Sequence, residues 1–231
     1  MTSAEPDWPG TRAVIFDVDG TLYDQRRLRI KMALDLARSC LFRPSGWKEL
    51  LVIRTFRRTR AGLAGGEVQN LAAAQYQACA RKLGIAPRQV EHIIEKWMFR
   101  APLRHLGACR RPGVRDFMLL LKARGIKTGV FSDYPAREKL EALDLHPDVV
   151  LAATDPEVDR LKPDPKGLIL TARRLGIPAR ECLYIGDRDD LDGAAARSAG
   201  MGCLIFAPRV RGRNDRFQDY GRLIELLRAW K

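Results

Sequence analysis

The sequence predicts an α/β protein, a doubly wound parallel sheet carrying an inserted all-helical segment. Three observations predict it. From residue 112 onward, short apolar runs alternate with helical stripes, the pattern of a parallel sheet with crossover helices. A first apolar run, Arg12-Ala-Val-Ile-Phe16, stands well apart from the others. Between the two, from Gln25 to about Met98, the apolar period is helical throughout.

Met1 to Gly10 carry Pro6, Pro9 and two acids without the basic-then-apolar layout of a signal peptide, so a loosely ordered tail is expected at 1–10. Residues 12–16 form a buried strand. In the insert, Leu28, Met32 and Leu36 recur every four residues; Val68, Leu71, Ala72, Cys79 and Leu83 make a second stripe; Val90, Ile93, Ile94 and Trp97 make a third. Trp47, Leu50 and Leu51 begin a further helix. Breaks at 44–46, 62–66 and 84–87 divide the insert into four helices.

After Pro112-Gly113, the stripe Val114, Phe117, Met118 and Leu121 is a helix that stops at Gly125, and Ile126 to Phe131 is a strand. A short helix covers about 135–143, and Val149 to Ala152 is the next strand. Asp164-Pro165 reads as a helix N-cap followed by proline in the first turn, the helix ending at Gly176. Cys182 to Ile185 is a strand, Leu191 to Ala199 a helix closed by Gly200, Cys203 to Phe206 a last strand, and Leu223 to Leu227 part of a terminal helix. The expected division is a tail at 1–10, a core at 11–23 plus 112–231, and a helical insert at 24–111.

Bulk composition agrees with this division. The 231 residues suffice for one large domain with an insertion, and no apolar run reaches the roughly 18 residues of a membrane span. Five scattered cysteines without a Cys-x-x-Cys suggest free thiols in a reducing cytoplasm. His92, His105 and His146 stand alone and form no zinc pattern. The net charge of +13 resides entirely in the insert, where 19 basic residues face 6 acidic ones, while the rest of the chain holds 22 of each sign.

The chemistry lies at the strand ends. In a doubly wound sheet, reacting groups collect beyond the carboxyl ends of the strands. The first strand runs into Asp17-Val18-Asp19-Gly20-Thr21, where alternation would turn both carboxylates the same way. Such paired acids are costly to bury unless a cation compensates. The second strand ends at Ser132-Asp133-Tyr134, the third is followed by Leu161-Lys162-Pro163, and the fourth runs into Gly186-Asp187-Arg188-Asp189-Asp190-Leu191-Asp192.

These four segments, in this order, resemble the four motifs of the haloacid dehalogenase superfamily, with a helical cap inserted between the first and second. The resemblance implies a Rossmann-like core and a phosphatase. Asp17 would be the nucleophile that forms an aspartyl-phosphate, and Asp19 the acid, then base, serving the leaving oxygen and the attacking water. Mg2+ would be held by Asp17, the Asp19 backbone carbonyl and Asp187. Ser132, Asp133 and Lys162 would hold the phosphoryl group, with Lys162 neutralising developing charge. Asp192, Gly20 and Thr21 would support the site: Asp192 by orienting Lys162 or a metal-bound water, Gly20 by allowing close backbone approach. Asn often occupies the position of Asp133 in the superfamily; the extra acid could shift substrate preference or pH optimum.

Bland readings remain for several of these residues. Asp189 and Asp190 read as surface acids, and Tyr23 and Tyr134 either line the pocket or simply pack. Because Asp19 is retained, an oxygen leaving group is expected, hence hydrolysis of a small phosphate monoester recruited by the basic cap. A phosphomutase would share all four motifs. A different possibility is a binding module, in which Arg54, Arg57, Arg58 and Arg60 around Phe56 meet nucleic acid or an anionic membrane surface. As helix-surface positions these arginines more often form a solvated face, nucleic acid is the weaker expectation, and oligomeric state is left open.

Overall fold

The computed structural model describes residues 8–42, 46–66, 68–208 and 215–230. Its sheet contains β1 (Ala13–Phe16), β2 (Lys127–Ser132), β3 (Val149–Ala152), β4 (Cys182–Gly186), β5 (Gly202–Phe206) and β6 (Arg216–Phe217). All pairings are parallel, in the order β3-β2-β1-β4-β5-β6. The order reverses at β1, whose two neighbours, β2 and β4, both lie far along the chain. That reversal leaves a crevice at the carboxyl end of β1.

The helices are α1 (Gln25–Phe42), α2 (Gly46–Ala61), α3 (Leu71–Leu83), α4 (Pro87–Ile94), α5 (Leu103–Cys109), α6 (Val114–Ala123), α7 (Arg137–Ala142), α8 (Lys166–Leu175), α9 (Ala194–Ser198) and α10 (Tyr220–Ala229). Strand alternation decides which side each residue serves. Val14 and Phe16 pack on one face with Phe117, Leu121, Leu223 and Leu227 from α6 and α10. Ala13 and Ile15 pack on the other with Leu168, Ala172 and Leu175 of α8 and Ala195 of α9. Both faces are therefore covered, as a parallel sheet requires.

The helical excursion has its own core of Val52, Ile53, Phe56, Cys79, Val90, Ile94 and Trp97. The chain leaves the sheet at Tyr23 and returns at Arg110, and these two residues form an antiparallel bridge. Asp24 N–H donates to the Cys109 carbonyl at 2.8 Å and Arg111 N–H to that of Leu22 at 3.0 Å.

Several expectations need correction. Among the described residues the excursion contains five α-helices rather than four: α4 runs into a wide turn at Glu95–Arg100, and α5 follows, burying Leu106 and Cys109. Its sequence, Leu-Arg-His-Leu-Gly-Ala-Cys, is too short and too mixed to show a period. The two-residue β6 was also not expected. Asp164 is not the N-cap of α8: Pro165 holds that position and the helix begins at Lys166, whose N–H donates to Asp164 Oδ1 at 2.8 Å. Of the expected tail, residues 1–7 lie outside the described residues, but Trp8 is buried and meets Phe117 edge-on at 6.2 Å, so the tail does not extend to it. Among the described residues, no helix is long and apolar enough to cross a membrane.

Candidate active site

Four strand ends and the helix after β2 deliver polar groups to the crevice. Asp17 follows β1 directly, its N–H still paired to the Ile185 carbonyl at 2.8 Å. The backbone then turns, with Gly20 at φ 108°. A methyl group on Gly20 would overlap the Asp187 carboxylate, so this position needs glycine for both its conformation and its clearance. At the end of β4, Gly186 leaves similar room for Asp192.

Lys162 is buried at the centre. Its Nζ lies 2.6 Å from Asp17 Oδ1, 2.7 Å from Asp192 Oδ1 and 3.2 Å from the Tyr184 hydroxyl. Tyr184 in turn donates to Asp192 Oδ1 at 3.0 Å. The other Asp192 oxygen accepts the N–H groups of Asp187 at 3.1 Å and Arg188 at 2.9 Å. Asp192 is thus fully engaged, holding Lys162 with one oxygen and the Asp187 loop with the other. Thr21 is buried and its hydroxyl donates to Asp17 Oδ2 at 3.2 Å.

Asp17 and Asp19 do not share a partner. Strand geometry ends at Phe16, so the alternation expected to pair them does not reach Asp19. Both line the same cavity, but Asp19 is gripped by Lys139, whose Nζ lies 2.6 and 2.8 Å from its two oxygens, and by the Tyr23 hydroxyl. Ser132 is fully buried and its Oγ accepts the Tyr134 N–H at 3.3 Å, which leaves the hydroxyl proton to donate elsewhere. Asp133 Oδ1 accepts the Lys162 N–H at 3.2 Å, tying the second strand end to the third.

Carboxylate oxygens of Asp17, Asp187 and Asp192 all lie within 4.8 Å of one another. Burial first, then the neighbouring carboxylates, raise the proton affinity of Asp17 well above the ordinary range, with Lys162 opposing. Burial and then Asp192 push Asp187 up to about 6. Burial alone would lower Lys162, but Asp17, Tyr184 and Asp192 outweigh it and keep the ammonium charged. Asp19 goes the other way: burial would raise it, and Lys139 overrides that and lowers it. One lysine thus faces an excess of negative charge, and the donors are all oxygen. This set fits a hard divalent cation such as Mg2+.

Above the crevice, the inserted helices close a cavity of about 670 Å³ whose walls include Asp17, Asp19, Lys162, Asp187, Tyr23 and Tyr134. Arg60 fastens the insert over it. Arg60 is buried; its Nε donates to Gln75 Oε1 at 2.8 Å, its Nη2 donates to the Asp133 carbonyl, and its guanidinium lies 4.0 Å above the Tyr134 ring. Asp159, on the core, accepts the Asn70 and Leu71 N–H groups at 2.9 and 2.5 Å.

Residues 11–200 match the profile of the haloacid dehalogenase-like hydrolases. The chain belongs to that family. It is 30% identical to the phosphoglycolate phosphatase of Escherichia coli K12 over 206 residues, 82% of this chain and 78% of that one. A match to YhcW of Bacillus subtilis, 34% identical over 119 residues, spans about half of each chain, 50% here and 53% there. The crystal structure of 2-haloacid dehalogenase from Pseudomonas syringae superposes with a TM-score of 0.65 at 20% identity, covering 96% and 100% of the two chains, a likeness of fold. This family member is a hydrolase of phosphatase type.

Sequence reasoning missed Lys139, Tyr184 and Arg60. Lys139 sits between Glu138 and Glu141 in a short helix and reads as an ordinary surface lysine. Tyr184 reads as strand packing, and Arg60 as one of several solvated arginines. The expected basic patch also changes: Arg60 and Phe56 are buried, leaving Arg54, Arg57 and Arg58 exposed without an aromatic between them. Asp189 and Asp190 pair with Arg197 and Arg188 at 3.0 and 2.6 Å, as surface acids would.

Proposed function

We propose that this hydrolase is a Mg2+-dependent phosphatase that cleaves a phosphate monoester through an aspartyl-phosphate on Asp17. The observation that carries this reading is the contact of the Asp17 carboxylate with Lys162, beside the Asp187 carboxylate, at the strand end where sheet order reverses. An Asp17 oxygen attacks phosphorus as the bond to the leaving oxygen breaks; Asp19, ionised beside Lys139 in the free protein, takes up the proton that a monoanionic ester brings in and passes it to that oxygen. Asp19 then takes a proton from water as it attacks the phosphoryl group, and Asp17 is regenerated. Lys162 offsets charge on the phosphoryl oxygens, and Ser132 donates to one of them.

Asp17, Asp187 and the Asp19 carbonyl would hold Mg2+, which when bound neutralises the carboxylates and the incoming phosphate. Asp192 keeps Lys162 in place, and Thr21 orients Asp17. The helical insert at about 24–111 acts as the cap over a core at 11–23 and 112–231, excluding water until the phosphoryl group is transferred. A cytoplasmic setting is part of this reading, supported by the free thiols of Cys79, Cys109, Cys182 and Cys203.

The test is phosphate release from p-nitrophenyl phosphate. Turnover should require Mg2+, cease with EDTA and fall at least about a thousandfold in Asp17→Asn. Full activity in that variant would remove Asp17 as nucleophile. A phosphomutase would use the same core residues but would release no net phosphate in this assay.

A further inference from the structure

We propose that the leaving group is apolar: the site takes the phosphate monoester of a hydrophobic alcohol. The inference rests on the phosphatase reading and adds to it the class of alcohol.

The cavity reaches far beyond the phosphoryl position. Its volume of about 670 Å³ falls within the roughly 300–1,000 Å³ of sites that enclose drug-sized ligands. The cap contributes Leu28, Met32 and Leu36 from α1, Ile53 from α2, and Trp97 and Phe99 from the wide turn. Packed interiors do not leave such walls around open space. A row of aliphatic and aromatic side chains facing this volume therefore calls for an occupant of like character.

The polar side chains on the same walls are mostly committed. Arg60 is spent on Gln75 and the Asp133 carbonyl, Lys139 on Asp19, and Arg188 on Asp190, while Arg29 is exposed and donates to Gln25 at 2.7 Å. Arg57 and Arg29 are the exposed cap arginines on the wall, placed to attract the dianion. A sugar or acid leaving group held here would lose water from its hydroxyl or carboxylate oxygens and find few donors in return. An alkyl or isoprenoid chain loses nothing by the same transfer and gains from leaving water.

The mouth of the cavity has the same character. Leu50 lines the wall and is also 37% exposed, Trp47, one turn before it on α2, is 68% exposed, and Leu51, the next residue, is 55% exposed. A chain longer than the cavity would emerge onto this apolar rim.

The experiment measures kcat/KM for Mg2+-dependent release of phosphate from ethyl, butyl, hexyl and octyl phosphate below micelle-forming concentrations. Glycerol 3-phosphate serves as the polar comparator and p-nitrophenyl phosphate as the check on chemistry. The expected result is a rise of about three- to fourfold per added methylene until the cavity is filled, with hexyl phosphate at least tenfold better than glycerol 3-phosphate. Leu36→Glu, a change at a half-buried wall position, should flatten that slope. A flat or falling series alongside good turnover of the aryl phosphate overturns the inference and leaves the phosphatase reading intact. No turnover of any monoester overturns the phosphatase reading itself. An unchanged slope in Leu36→Glu overturns the assignment of this cavity to the leaving group.

Discussion

Lys139 and Asp19 form a two-point ion pair, the ammonium lying 2.6 and 2.8 Å from the two carboxylate oxygens. Lys139 is buried and Asp19 nearly so. Removing one partner strands the other, so Lys139→Met should cost about 3 kcal/mol in urea unfolding, and the double variant with Asp19→Asn should cost less than the sum of the singles. Folding lowers the proton affinity of Asp19 below its ordinary value of 3.8. The unfolded chain therefore binds that proton more tightly, and the pair's stabilisation is complete above about pH 4 and lost as pH falls through the folded value. The gap between wild type and Lys139→Met should narrow in acid. A gap that is constant from pH 7 to pH 3 would contradict the pairing.

Metal binding should also weaken in acid, through a carboxylate whose own effect on stability runs opposite to that of Asp19. Asp187 is raised to about 6, first by burial and then by Asp192. The metal-free folded chain thus holds this proton more tightly than the unfolded chain, and the group's contribution to stability declines as pH rises from about 4 to about 6. Mg2+ needs the ionised carboxylate. The gain in Tm on adding 10 mM Mg2+ should therefore be larger at pH 7.5 than at pH 5, and Mg2+ affinity should weaken about tenfold per pH unit below about 6. Equal Tm gains at both values would exclude Asp187 as a ligand.

Gly20→Ala tests the clearance beneath Asp187. Alanine at φ 108° is strained, at a cost of about 1–3 kcal/mol, and its methyl group displaces the Asp187 carboxylate. We expect kcat/KM to fall at least tenfold and the Mg2+ requirement to rise. A variant with wild-type Mg2+ dependence would show that the loop yields without disturbing the acids.

Arg60 tests how the cap is held. Arg60→Met leaves Gln75 and the Asp133 carbonyl without their donor and exposes Tyr134 to water, at a cost of about 2–4 kcal/mol. Because Asp133 neighbours Ser132, KM and kcat should both worsen. Arg60→Lys should not rescue, since an ammonium cannot bridge two acceptors and stack on a ring at once. Full activity in Arg60→Lys would reduce this contact to simple charge.

The parts of this molecule that were readable in advance share one property: their signal is local. Strands such as Val149 to Ala152 announce themselves as short apolar runs between breaks; Asp17, Ser132 and Asp187 each follow such a run directly, and Lys162 lies in the loop between β3 and α8. Lys139 and Arg60 carry no comparable mark. Their partners, Asp19 and the Asp133 carbonyl, lie 120 and 73 positions away, and only the folded chain brings them together. The same reasoning explains the missed α5, whose seven residues contain too little repetition to reveal a buried side.

The bridge between Tyr23 and Arg110 means that the whole helical excursion hangs from two adjacent strands of backbone, like a drawer on a paired rail. Its removal would leave ends already side by side, which a few residues could join. A foreign lid grafted between positions 23 and 110 would meet a floor whose contacts among Asp17, Lys162, Tyr184 and Asp192 it leaves in place, and would need its own donor for the Asp133 carbonyl that Arg60 now serves.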